Sequence, residues 1–439
     1  MSPSPSDLDG LTVGIWGFGR EGVSMARTAA AAGAARIEAV VDVGRRPFEE
    51  PEGLGELGAN LVVFRGPEHL ARLNACDVVF VSPGVPWRQP VFEELRRSGI
   101  RISSAADWFM SRHGSATIGV TGTKGKSTTA SFLGHLLQRV GVEAVVAGNI
   151  GTPLSDLSPA GGVVVVAELS SQQAALLTTS PAVAVITNLH EDHLDWHGDK
   201  DSYHLAKANV FRHGARSLVT TPEVVAILER LGTMPIEPEL RLVDPAHVRR
   251  TEGRAVMTYE HNVVNGALAA VAAAEVIGRP VTAAEFDGAV DTYRGLPHRL
   301  QTVRTTGRIR WIDDTLATTG ESVAAALRAM PPDEHIALIV GGMDRQLNYD
   351  QLDDYLRGGE RRVSLIQSPT NGVAIGRGFA REHPSRTHLV HSLEEAVHTA
   401  ASLSDVDVVL LSPGAASYDL YTNYEAKASA YCGFIDALN

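Results

Sequence analysis

The sequence predicts an α/β protein with parallel sheets, divided into three domains at residues 1–112, 113–297 and 298–439. Three observations lead there. A chain of 439 residues is too long for one compact core. Val/Ile-rich runs alternate along it with Ala/Leu-rich helical patterns. Two glycine-rich turns each sit between an expected strand and an expected helix.

The first domain opens with a strand over Leu11–Trp16, whose turn Gly17-Phe18-Gly19-Arg20-Glu21-Gly22 leads into a helix. A second strand, Ile37–Val41, ends at Asp42, and a third, Val78–Val81, runs into Ser82-Pro83-Gly84. Gly17-x-Gly19-x-x-Gly22, with Asp42 about 20 residues on, fits a dinucleotide fingerprint. It fits equally any Rossmann-like unit that takes a nucleotide diphosphate, so the turn alone leaves both readings open. The second domain starts with the strand Ala116–Val120, the second glycine turn, and a helix from Ser127 to about Val140. Strands follow at Val163–Ala167 and Ala182–Thr187, and an alanine-rich helix over Asn262–Ile277 closes it. The Gly and Pro within Arg294–Arg299 mark a linker. Strands at Ile309–Ile312, Ile336–Val340, Val363–Ile366 and Val408–Leu411, with helices between them, build the third domain.

Bulk properties exclude whole classes of function. A formal net charge of -12 argues against general binding to nucleic acid or acidic membranes. Two cysteines, Cys76 and Cys432, are too few for a disulfide framework and fit a reducing cytoplasm. Met1–Gly10 lacks a basic apolar signal, and no apolar run reaches membrane-spanning length. A soluble cytoplasmic protein is expected.

The second turn reads Thr121-Gly122-Thr123-Lys124-Gly125-Lys126-Ser127-Thr128. Its glycines let backbone N–H groups approach phosphate oxygens, and the helix behind aims its positive end at them. Lys126 would reach the β- and γ-phosphates, and the Ser127 or Thr128 hydroxyl would ligate Mg²⁺. The strict spacing fails because position 120 is Val rather than Gly, so the loop is a variant. A glycine turn with solvated lysines is the bland alternative. The strand before it and the helix after it speak against that. The strand Val163–Ala167 ends in Glu168, and Ala182–Thr187 runs into a segment containing His190, Asp192, His193 and Asp195. Ligands gather beyond strand ends in parallel sheets, so Glu168 and His193 are candidate Mg²⁺ ligands. Two histidines without a nearby cysteine favour a hard cation over zinc.

Read in order, these residues resemble the Mur ligase family, in particular its MurD-type, glutamate-adding members, along essentially the whole chain. Thr121–Ser127 matches the family's ATP loop, and Gly148-Asn149-Ile150-Gly151 its Gly-Asn-Ile-Gly. Glu168-Leu169-Ser170-Ser171-Gln172 and Asp192-His193-Leu194-Asp195 match further motifs, as do His261-Asn262-x-x-Asn265 and Gly295–Arg299. Leu411-Ser412-Pro413-Gly414-Ala415-Ala416-Ser417 completes the series. The resemblance implies an N-terminal Rossmann-like domain for a UDP-linked substrate, a central P-loop ATPase-like domain, and a C-terminal Rossmann-like domain for the incoming amino acid. It implies an ATP-dependent ligase of peptidoglycan precursor synthesis that joins glutamate to UDP-N-acetylmuramoyl-L-alanine through an acyl phosphate. It recasts Gly17, Phe18 and Gly19, with Asp42, Ser82, Pro83, Gly84 and Asn149, as UDP-substrate contacts. The ATP set becomes Gly122 to Thr128, Asn262, Asn265, Arg299 and Asp314. Two Mg²⁺ ions are implied, held by Ser127, Glu168, His193 and Lys207, the last as a carbamate. Thr318, Arg345, Ser417 and Tyr424 stand on the amino-acid side. A monomer is the expected state.

The chain departs from the family on that side. Asp313-Asp314-Thr315-Leu316-Ala317-Thr318-Thr319 has Leu316 where the family carries lysine, and Gly341-Gly342-Met343-Asp344-Arg345 lacks a second one. Losing cations from a dicarboxylate site points to altered amino-acid choice, with L-glutamate expected. D-glutamate addition and a natural-product ligase are the alternatives. Folylpolyglutamate synthases share the loop but lack the first domain. A non-catalytic nucleotide sensor would have lost Lys126, Glu168, His193 or Lys207.

Overall fold

The computed structural model describes residues 8–41, 60–86, 89–233, 238–248, 257, 260–345, 347–417 and 419–438. Its residues form two compact units, one of residues 1–253 with 261–292 and one of 254–260 with 293–439. Three sheets carry the fold.

The first unit holds two fully parallel sheets. Strands β1 (Thr12–Trp16), β2 (Arg36–Val41), β3 (Leu61–Arg65), β4 (Val78–Val81) and β5 (Arg101–Ser103) form the first, in the order 3-2-1-4-5. The chain reverses direction across the sheet between β1 and β4, which opens a crevice beyond their carboxyl ends. The second comprises β6 (Thr117–Thr121), β7 (Ala144–Gly148), β8 (Val164–Glu168), β9 (Val183–Ile186), β10 (Ser217–Thr220) and β11 (Glu239–Leu242), in the order 11-10-9-6-8-7. Here β6 lies between β8 and β9, pairing Val120 with Glu168 and Thr121 with Ile186. Three strand ends therefore meet at the phosphate loop. Helices cover both faces of such a sheet, so its central strands are apolar throughout, as in the wholly buried Val183–Ile186. One apolar cluster runs from Val13 and Ile15 through Trp108 and Phe109 to Val165 and Ile186, so the two sheets share a core.

The second unit contains β12 (Gln301–Thr306), β13 (Ile309–Asp313), β14 (His335–Val340), β15 (Arg362–Gln367), β16 (Thr387–Leu389) and β17 (Val408–Leu411). Their order is 12-13-17-14-15-16, parallel except for the edge strand β12. The ends of β13, β17 and β14 lie side by side, and clusters around Ile312–Leu365 and Trp311–Tyr431 fill the two faces. Among the described residues no helix is long and apolar enough to cross a membrane.

Candidate active site

The phosphate loop leaves β6 at Thr121 and enters the Lys126–Arg139 helix, one residue earlier than the sequence indicated. Gly125 caps it with φ +84, and a Cβ there would overlap Asn265 Oδ1. A Cβ at Gly122, at φ +146, would overlap Thr187 Oγ1 even more closely. Both positions therefore exclude side chains. Neighbouring strand ends then fasten the loop: Lys124 N–H donates to Asn188 Oδ1 at 2.9 Å, and Thr187 Oγ1 donates to the Lys124 carbonyl at 2.6 Å. Lys126 Nζ reaches back to the Thr123 carbonyl at 3.0 Å. Ser127 is half-buried and Thr128 buried. Asn262 and Asn265 share one face of the Glu260–Ile277 helix, and Asn265 Nδ2 donates to Asn262 Oδ1 at 3.2 Å.

Beside the loop, Glu168 ends β8 and is 1% exposed. Asn149 Nδ2 donates to its Oε1 at 2.9 Å, whereas its Oε2 is buried with no partner among the described residues. The Asn149 side chain thus rests on this carboxylate. Lys207 is buried too, and its Nζ donates to the Gly122 carbonyl at 2.7 Å while lying over the Tyr203 ring. Burial and the nearby Lys126 push its amine well below the ordinary lysine range, against the pull of Asp192 and Glu168. His193 sits at φ +50 on an exposed turn, its Nε2 3.8 Å from Asp192 Oδ2. Among the described residues no three His, Cys, Asp or Glu side chains gather as a ready-made metal cage.

In the first sheet, Gly17 at φ +87 packs against Ser82, whose hydroxyl donates to the Gly17 carbonyl at 2.6 Å. A Cβ at Gly22 would overlap that same carbonyl. The turn Gly17-Phe18-Gly19 and Ser82-Pro83-Gly84 thus form one rim, while Asp42 lies outside the described residues. Arg20 ties this rim to the second sheet, donating to the carbonyls of Gly148, Asn149 and Gly151 at 3.1–3.2 Å. Next to it, Gln173 Nε2 donates to Glu21 Oε1 at 2.6 Å.

In the second unit Asp314 is buried, accepting from Ser412 Oγ at 2.7 Å and from Leu300 N–H at 3.2 Å. Burial raises its carboxyl to about 7. Arg299 and Arg345 are exposed, and Leu316 and Thr318 are half-buried. The Tyr424 ring meets His298 edge-on with centroids 5.4 Å apart, and His298 Nδ1 contacts Asp313 Oδ2 at 2.7 Å. Ser417 is buried and its Oγ has no partner among the described residues.

Comparison with known proteins agrees with this geometry. Residues 120–222 match the Mur ligase middle domain, and 298–414 the Mur ligase glutamate ligase domain. A UDP-N-acetylmuramoyl-L-alanine–L-glutamate ligase from a Micromonospora strain is 39% identical, covering 97% of this chain and 96% of its own. One of the same name from Salinispora tropica is 36% identical, covering 97% of each chain. The chain belongs to the Mur ligase family. A UDP-N-acetylmuramoylalanine–D-glutamate ligase from Geobacter metallireducens is more distant, 32% identical with 98% of each chain covered. Among solved structures, the MurC ligase of Thermotoga maritima shares the fold, with a TM-score of 0.60, 19% identity, and coverage of 98% of this chain and 100% of that one.

Several residues of this Mur ligase carried no sequence signal. Thr187 and Asn188 hold the loop, Arg20 bridges the two sheets, and Lys427 is buried behind the Gly341 turn. Hydrogen bonds to backbone carbonyls leave no spacing pattern, which is why only the structure finds them.

Proposed function

We propose that this Mur ligase joins L-glutamate to the carboxyl group of UDP-N-acetylmuramoyl-L-alanine in the cytoplasm, using ATP and releasing ADP and phosphate. The observation that carries the reading is the variant phosphate loop set between two strand ends, with buried Glu168 and buried Lys207 beside it. In this reading residues 1–112 take the UDP part, 113–297 take ATP, and 298–439 take the amino acid. The substrate carboxylate attacks the γ-phosphorus as ADP leaves; the glutamate amine then attacks the acyl carbon, expelling phosphate and losing a proton.

Bringing a carboxylate to a polyphosphate sets anion against anion. Lys126 and the loop amides supply positive potential at the phosphates, and Asn265, bonded to Asn262, packs against the Gly125 end of the loop. Magnesium fits the donor set, because Glu168 Oε2 is an acceptor-only oxygen that is buried and unpartnered among the described residues. With one or two carboxylates, a Mg²⁺ site is normally completed by substrate phosphates and water, so a full protein cage is not required. When bound, the metal neutralises charge between the attacking carboxylate and the γ-phosphate. Glu168 would hold it, together with the Ser127 hydroxyl, His193 and Lys207. Burial and the nearby Lys126 disfavour the ammonium form of Lys207, which suits its amine to add CO₂ and release a proton, exchanging a cation-repelling ammonium for an anionic oxygen donor.

The choice of L-glutamate rests on the relatives of that name and on the missing cation at Leu316. The test is mass spectrometry of the product made from UDP-N-acetylmuramoyl-L-alanine, ATP and L-glutamate. A glutamyl adduct formed with one ADP per product supports the reading, and ADP release with no adduct overturns it.

A further inference from the structure

One buried charge in the second unit has no role above. Lys427, in the Tyr424–Asp436 helix, is 3% exposed, and its Nζ donates to the Gly341 carbonyl at 2.7 Å. That bond engages one of three ammonium protons. Among the described residues Lys427 makes no ion pair, and Asp419 acts on it only through space. Burial pushes the amine down to about 8, so the ammonium form still dominates at neutral pH. A methionine would fill the same volume without the desolvation cost, so an unpaired cation here calls for an anion.

The surroundings indicate which anion. Gly341, at φ +128, begins the turn after β14, and its N–H donates to the Pro413 carbonyl at 2.9 Å. Two residues on, Met343 N–H donates to the Ala416 carbonyl at 2.8 Å. The turn therefore lies along the segment after β17, whose next residue is Ser417. The Ser417 hydroxyl is itself buried with no partner among the described residues. A cation short of acceptors and a hydroxyl short of a partner thus flank the same turn. A carboxylate, which only accepts, satisfies both.

We propose that Lys427, with Ser417, binds a carboxylate of the incoming dicarboxylic amino acid and supplies the cation that Leu316 does not. This rests on the ligase reading above. Steady-state assays of the full chain with ATP, UDP-N-acetylmuramoyl-L-alanine and L-glutamate test it. K427M is expected to raise the KM for glutamate by at least about tenfold with the KM for ATP within about twofold, and K427R to recover much of the loss. A purely structural lysine would instead move both KM values together with the melting temperature, and that result overturns the proposal, as does an unchanged KM for glutamate. If K427M does not fold, S417A decides: a several-fold rise in the glutamate KM supports the proposal and an unchanged value overturns it. Absence of glutamate-dependent phosphate release by the unmutated enzyme removes the ligase reading itself, and the proposal with it.

Discussion

Substituting Gly125 by alanine tests how the phosphate loop is held. Residue 125 sits at φ +84, and placing an L side chain there costs about 1–2 kcal/mol. The new Cβ would also overlap Asn265 Oδ1 and push it away from Asn262, costing about 1 kcal/mol for the bond between them. Together these come to about 2–3 kcal/mol. In free protein the loop can relax and shed part of this strain; binding ATP then requires the strained conformation again. The Kd for ATP in G125A should therefore rise at least about tenfold, since 1.4 kcal/mol is a factor of ten. Gly141 provides the control, because it has φ +86 but open space around a Cβ. G141A should lower the melting temperature by a few degrees and leave the Kd for ATP unchanged. Isothermal titration with ATP on both variants reads the difference. An unchanged Kd in G125A, or an equal rise in G141A, refutes the reasoning.

Glu21 gives a test in pH. Burial raises its carboxyl to about 7, although Gln173 and Arg20 pull it down. The folded state therefore holds a proton that the unfolded chain has lost between about 4.5 and 7, so this contribution to stability is present at low pH and disappears as pH rises through 7. Thermal melts at pH 5 and pH 8 should show E21Q flattening that loss, which amounts to about 3 kcal/mol at most; identical pH profiles count against it. For E168Q, kcat should fall by at least about 100-fold while the melting temperature holds or rises, because a buried, unpartnered oxygen no longer carries charge. Turnover within about tenfold of the unmutated enzyme would place Glu168 outside the chemistry.

Much of the fold is legible in the sequence, and several of the illegible parts have a physical cause. Val163–Ala167 became Val164–Glu168, and Ile336–Val340 became His335–Val340, because central parallel strands bury both faces and read as continuous apolar runs. Three of the edge strands show no such run: β12 is Gln-Thr-Val-Arg-Thr-Thr, β11 is Glu-Leu-Arg-Leu and β16 is Thr-His-Leu, all partly solvated. In the candidate site, the loop and Glu168 were legible because phosphate binding demands glycine and because a carboxylate after four valines stands out. Lys427 was not, since a lysine on a helix reads as solvated until tertiary packing buries it. Arg20 was hidden because its partners are backbone carbonyls more than 120 residues away.

The central claim is that this chain drives amide bond formation to L-glutamate. Phosphate release from ATP, measured with UDP-N-acetylmuramoyl-L-alanine and with either L- or D-glutamate, addresses it most directly. The expected result is release that needs all three substrates, with kcat/KM for L-glutamate exceeding that for D-glutamate by at least about tenfold. Preference for D-glutamate, or release independent of the amino acid, would contradict it.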